Sequence, residues 1–272
     1  MEYFWAYLLL GAFSGFIAGL LGVGGGLLIV PVLASLFSYV MPESLIMQMA
    51  ISTSLMSIVF TSLSSIYAHH RQQKIVWALV QKLSFGILIG AILGAGLANT
   101  VPSHYLRYLF AVFELFVAWQ LLFTTKSQYN TTDTSSPALP RPFLEKIGFM
   151  TLVGSFIGFL SSLLGIGGGT LTTPFLLHCR ITLNHAIATS AAVGLPIAIA
   201  GSLGFIMVGW SHQNLPELSL GYIYLPALLG ILLTSILFAP LGAQLTHRLP
   251  TQLLKKIFAI LLILLATKLL LF

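Results

Sequence analysis

Charge is what this sequence has least of. Its 272 residues carry six Asp and Glu and twelve Lys and Arg, 7% in all, where a soluble domain carries about 25%. So few charges cannot solvate a surface, so lipid must cover most of the outside. Cysteine is nearly absent as well. With Cys179 alone, neither an intrachain disulfide nor a thiolate metal cluster can form, and no His or acid spacing reads as a zinc site. No phosphate-binding G-x-x-x-x-G-K-[ST], no GxGxxG spacing and no G-x-S-x-G elbow occurs. The sequence is therefore read as a non-enzyme, with no catalytic residue, metal or cofactor. The net charge of +6 lacks a basic face with interleaved aromatics, so nucleic acid is not an expected partner.

What is present is apolar chain, 57% of residues with a mean hydropathy of +0.99. A bilayer core of ~30 Å needs about 20 apolar residues per helix, and several such runs occur. The start, Met-Glu-Tyr-Phe-Trp, has no basic residue before the first run. That argues against a cleaved signal peptide and for a non-cytoplasmic N-terminus.

The chain repeats itself. Residues 15–33, GFIAGLLGVGGGLLIVPVL, match 158–176, GFLSSLLGIGGGTLTTPFL. AISTS (50–54) matches AIATS (186–190), and LGAGLANTVP (93–102) matches LGAQLTHRLP (241–250). Three blocks in one order mark a tandem duplication, a pattern common in transporters. The expected organisation is a first transmembrane repeat over 1–125, a polar cytoplasmic linker over 126–142 and a second repeat over 143–272. The linker is rich in Ser, Thr and Pro without hydrophobic period. Its Asn130-x-Thr132 pattern is then not a glycosylation site.

Each half begins with a glycine-broken segment (about 4–38 and 145–178). Long apolar helices follow over about 45–68, 77–99 and 104–124, then 183–209, 221–246 and 252–271. If each broken segment crosses the membrane once, the twelve cations divide seven to five between the two sides. If it returns to its starting side, only Arg107 and Lys268 oppose the other ten. Cytoplasmic loops collect Lys and Arg, which favours the second arrangement. The expected fold is an all-α integral membrane protein of two inverted repeats, each a Gly-broken, re-entrant helical segment plus three transmembrane helices. It would be a multi-pass protein of the cell inner (plasma) membrane with both termini non-cytoplasmic. The charge count does not distinguish a re-entrant hairpin from two full crossings.

Glycines in a row unwind a helix, at ~1 kcal/mol each relative to alanine, and unwound backbone in a membrane must be buried or line a cavity. Pro31 and Pro174 follow each break by five residues, so a new short helix is expected from the last glycine of each break. Its free N–H groups and positive dipole end then face the break, which suits an anion. The candidate substrate-binding set is Gly24, Gly25 and Gly26 with Ser52, Thr53 and Ser54. From the second half come Gly167, Gly168, Gly169, Thr170, Thr189 and Ser190. Packing alone is the competing reading of the glycines, as for Gly11-xxx-Gly15-xxx-Gly19 and Gly86-xxx-Gly90-xxx-Gly94. Self-bonding to helix carbonyls is the competing reading of the hydroxyls. Thr170, Thr172 and Thr173 stand where the first half has Leu27, Ile29 and Val30, so the second half-site is the more polar one.

Glu114 is an acid well inside a span, where acids are costly and usually functional. Proton coupling is one role for it and a helix or subunit contact the other, which keeps a homodimer among the partners. His69, His70 and Arg71 are a candidate electropositive vestibule or an ordinary basic helix end.

On the motifs GLLGVGGGLLIVPVL, AISTSLMSIVFTSLSSIYAHHRQQKIVW, LLGIGGGTLTTPFLL, AIATSAAVGL and GLPIAIAGSLGF, the chain resembles the sulfite exporter TauE/SafE family of membrane transporters. The resemblance spans nearly the whole chain. It implies transport of a small anion such as sulfite, a sulfonate, thiosulfate or another sulfur-containing organic acid across the bacterial inner membrane. The expected partners are thus a small anionic solute and the lipid bilayer. An anion channel of the same architecture, or a non-transport membrane assembly factor, is the alternative.

Overall fold

The computed structural model describes residues 4–21, 25–123, 146–212, 215–246 and 251–271. The linker over 126–142 and Gly24 lie outside them. The first half holds α1 (Phe4–Leu21), α2 (Gly26–Phe37), α3 (Ile46–Arg71), α4 (Trp77–Thr100) and α5 (Ser103–Phe123). The second holds α6 (Ile147–Leu164), α7 (Gly169–His178), α8 (Leu183–Gly209), α9 (Leu225–Thr246) and α10 (Thr251–Leu271). A short antiparallel pair, β1 (Ser219–Leu220) and β2 (Ile223–Tyr224), precedes α9. It shortens the helix expected over 221–246. Gly221 turns the pair at φ +55°, a left-handed angle that glycine takes without the Cβ penalty.

Among the described residues, five helices are long and apolar enough to cross a bilayer: those over Glu43–Arg71, Trp77–Thr100, Ser103–Phe123, Ile147–Leu164 and Leu183–Gly209. The distribution of polarity is that of a protein in lipid. Phe85, Leu93, Val112 and Phe116 are exposed, whereas Ser52, Thr53, Ser54, Thr189 and Glu114 are buried. The molecule is a multi-pass, all-α membrane protein.

Two helix pairs are made by glycine. Gly11 and Gly15 of α1 pack on Ile231, Thr234 and Ser235 of α9, and Gly86, Gly90 and Gly94 of α4 on Thr151, Ser155 and Phe159 of α6. In both pairs numbering rises together, so the partners run parallel. A Cβ on Gly15 would stand 2.6 Å from Ser235 Cα, so only glycine permits this approach. Since α6 repeats α1 and α9 repeats α4, each half contributes the same contact with the roles exchanged. The equivalent helices α3 and α8 cross antiparallel. Gly194 lies by Ser62, and Gly201 by Leu55.

The first broken segment doubles back. Gly25 sits beside Ser14 and Ala18 of α1, and Phe37 at the end of α2 meets Tyr7 near the start of α1, ring centroids 6.3 Å apart.

Candidate functional site

Both short helices start where the last glycine of the break stands, α2 at Gly26 and α7 at Gly169. Neither has a side-chain cap, so no side chain occupies the first-turn N–H groups that such a helix offers an anion. Pro31 and Pro174 lie inside these helices, where each removes one ladder hydrogen bond.

The two breaks meet. A Cβ on Gly26 would stand 2.7 Å from Gly165 O and 3.1 Å from Ile166 Cα. Ile58, buried on α3, lies between them: its Cδ1 is 3.1 Å from that position on Gly26, and its Cγ2 is 3.6 Å from the same position on Gly167. Gly168 is pressed on α8, where a Cβ would stand 2.9 Å from Ser190 O. The breaks differ in conformation. Gly25 is left-handed at φ +68°, while its equivalent Gly168 is helical at φ −59°. In the second break the left-handed glycine is Gly165, at φ +69°, which ends α6 and accepts no side chain without strain.

The candidate hydroxyls are engaged, mostly across the two halves. Ser52 Oγ donates to Tyr222 O at 2.6 Å, and Ser54 Oγ to Gly165 O at 2.8 Å. Thr53 Oγ1 accepts from Tyr224 N, the residue before α9, at 3.1 Å. Its equivalent Thr189 Oγ1 accepts from Val76 N, the residue before α4, also at 3.1 Å. Val76 and Tyr224 are themselves equivalent, so one brace is built twice, each half holding a helix start of the other. As acceptors, both threonines keep a hydroxyl proton to donate. Ser190 Oγ donates to Ile187 O at 2.9 Å and lies 2.7 Å from Thr173 Oγ1. Thr170 Oγ1 reaches only Gly167 O, at 3.4 Å.

Among the described residues, five other hydroxyls are buried without a partner: Ser219 in β1, and Ser161, Ser162, Thr172 and Ser202. Ser161 and Ser162 end α6, Thr172 lies in the first turns of α7, and Ser202 is on α8 beside Gly201, which packs on Ser162. Their equivalents in the first half are Ala18, Gly19, Ile29 and Ile66. Buried hydroxyls without partners are rare, because each loses its hydration. Sequence reasoning passed over Ser161, Ser162, Ser202 and Ile58. A position-by-position comparison of the halves carries the signal for the serines, while Ile58 reads as ordinary core.

Glu114 is fully buried and neither carboxyl oxygen has a partner. It lies apart from the breaks, on α5, which packs on α10. His70 and Arg71 are exposed at the end of α3, against Trp77 and Tyr67 respectively, and His69 is half-buried with Nδ1 unpartnered. In the hairpin before α9, the Tyr222 hydroxyl donates to Asn99 Oδ1 at 2.6 Å. Burial pushes its pKa up, so the phenol remains a donor.

Comparison with known proteins matches residues 7–269 to a family model described as "Sulfite exporter TauE/SafE". A probable membrane transporter protein of Haemophilus influenzae is 40% identical over 260 residues, 95% of each chain. The probable membrane transporter protein MJ0441 of Methanocaldococcus jannaschii is 26% identical over 89% of this chain and 85% of its own. YdhB of Bacillus subtilis, likewise a probable membrane transporter protein, is 26% identical over 89% of each. No solved structure matches the chain.

Proposed function

The chain belongs to the sulfite exporter TauE/SafE family of membrane transporters, and from that premise we propose that it is a secondary transporter of a small sulfur-containing or organic anion, not an enzyme. The anion binds between the two glycine breaks, and access alternates between the membrane faces. The observation that carries this reading is the convergence of Gly26, Ile58 and Gly165–Gly167. It sets the uncapped start of α2 against the second break, from which α7 begins, and glycine lets an anion reach helix-start N–H groups. Gly25, Gly26, Gly167–Gly169 and Thr170 form the backbone cradle. The unpartnered hydroxyl of Thr172, the free hydroxyl protons of Thr53 and Thr189, and the hydroxyls of Ser52, Ser54 and Ser190 on rearrangement complete it.

In this reading the halves are inverted in the inner membrane with both termini outside. The antiparallel crossing of α3 on its own equivalent α8, and the return of α2 along α1, support it. A two-fold axis relating antiparallel spans lies in the membrane plane. His69, His70 and Arg71 then lie on the cytoplasmic face, as a vestibule. With the cytoplasm negative, expelling a monoanion gains ~2.3 kcal/mol per 100 mV, so export needs no coupling ion. Concentrative uptake needs one, and Glu114 is the proton site for it. Counterflow of sulfite, thiosulfate and ethanesulfonate in proteoliposomes tests the reading. Saturable trans-stimulated exchange is expected, and flux linear in concentration would mark a channel instead. For uptake, Glu114→Gln should remove pH-driven accumulation and leave downhill exchange intact; if accumulation persists, the acid has no coupling role.

A further inference from the structure

A cavity of about 220 Å³ opens at the far end of α2, lined by Ser35, Ser38, Glu43, Arg107 and apolar neighbours including Leu269. It lies away from the breaks: α2 has 12 residues, which at 1.5 Å each is roughly 18 Å of helix. The serine hydroxyls are spent, Ser35 on Pro31 O at 2.9 Å and Ser38 on Ser35 O at 2.8 Å. The guanidinium has no hydrogen-bond partner among the described residues, and its Cζ lies 5.9 Å from the centroid of the Tyr108 ring. Arg107 is 17% exposed, and its Nε is buried without a partner. Among the described residues the nearest carboxylate, Glu43, stands 3.9 Å away on a side chain 73% exposed, too far for a hydrogen bond and too solvated for a strong pair. A planar guanidinium at a cavity wall, held by one ring face and one loose counter-ion among the described residues, matches a carboxylate or sulfonate group.

From this geometry we infer that Arg107 and its cavity form a second, peripheral anion site, which captures a sulfonate- or carboxylate-bearing solute on the face where α5 begins. That face is the one poor in cations, so this guanidinium supplies the attraction that basic loops supply opposite. Glu43 is the internal competitor that the solute displaces. The inference rests on the anion-transport reading for its purpose, but not for its detection.

Two measurements on the full chain test it. In purified protein, phenylglyoxal labelling of Arg107, read by peptide mass, should slow several-fold with ethanesulfonate relative to chloride of equal ionic strength. In proteoliposomes, Arg107→Gln should raise the KM for ethanesulfonate about three- to tenfold from the α5-start face and leave the other face unchanged. Arg107→Lys should recover part of this, and Glu43→Gln should lower the KM. Labelling indifferent to ethanesulfonate would overturn the site. So would Glu43→Gln and Arg107→Gln acting alike, since Arg107 would then serve only the ion pair. Protection without any saturable flux would keep the site and sink the transport reading; saturable flux without protection would do the reverse.

Discussion

The two breaks share four glycine positions and little of their surroundings. Around the first, the positions Ala18, Gly19, Ile29 and Ile66 are apolar or bare; around the second, the same positions are Ser161, Ser162, Thr172 and Ser202, all buried and unpartnered. The braces behave oppositely. Thr53 on Tyr224 and Thr189 on Val76 are equal in length and role. The interface between the halves has thus kept the duplication's symmetry, and the surroundings of the breaks have not. In the alternating cycle proposed above, a symmetric interface can hold in both orientations. A small anion needs no second set of donors.

The largest effect should come from filling the junction itself. Gly26→Leu drives a side chain into the Gly165 carbonyl and should cost at least about 3 kcal/mol and abolish flux, read by thermal unfolding in detergent and by counterflow. Gly96→Ala and Gly148→Ala, which meet nothing, should be neutral or slightly stabilising. Ile58→Ala follows. It leaves a cavity between the breaks, costs about 2–4 kcal/mol and should let anions leak; an unchanged leak rate would show that Ile58 is core only.

The braces come next. Thr53→Val and Thr189→Val each strip a half-buried N–H of its acceptor and should cost about 1 kcal/mol apiece. Equal losses of Tm would sharpen the symmetry, and unequal ones would break it. The smallest effect on stability, and the most specific one on function, belongs to Thr172→Val. Replacing an unpartnered buried hydroxyl by a methyl should leave Tm unchanged or raised while the KM rises. If KM is unmoved, the polar half-site is not where the solute binds.

Much of this was legible in the residues. The glycine runs marked where α2 and α7 begin, because glycines in a row unwind a helix; Pro31 and Pro174 fall inside the new helices rather than at their starts. The cation count favoured a returning segment, and α2 does lie back along α1. The β1–β2 turn was hidden because Gly-Tyr-Ile-Tyr-Leu reads as the start of an apolar helix, and its hydrogen bonds to Ser52 and Thr53 are long-range. Partner choice among hydroxyls was equally illegible. Nothing local tells Ser54, which donates to Gly165 across the halves, from Ser162, which has no partner.

The central claim is that an anion rests at the paired breaks, and ligand-induced stabilisation tests it most directly. Sulfite, thiosulfate, ethanesulfonate and acetate should be titrated against wild type and Thr172→Val in a thermal unfolding assay. A ligand at 100 times its Kd stabilises by about 2.7 kcal/mol. The account predicts that at least one of these anions raises the wild-type Tm with saturation, and that Thr172→Val shifts the titration to higher concentration. No stabilisation by any of them, or the same titration in both proteins, would contradict it.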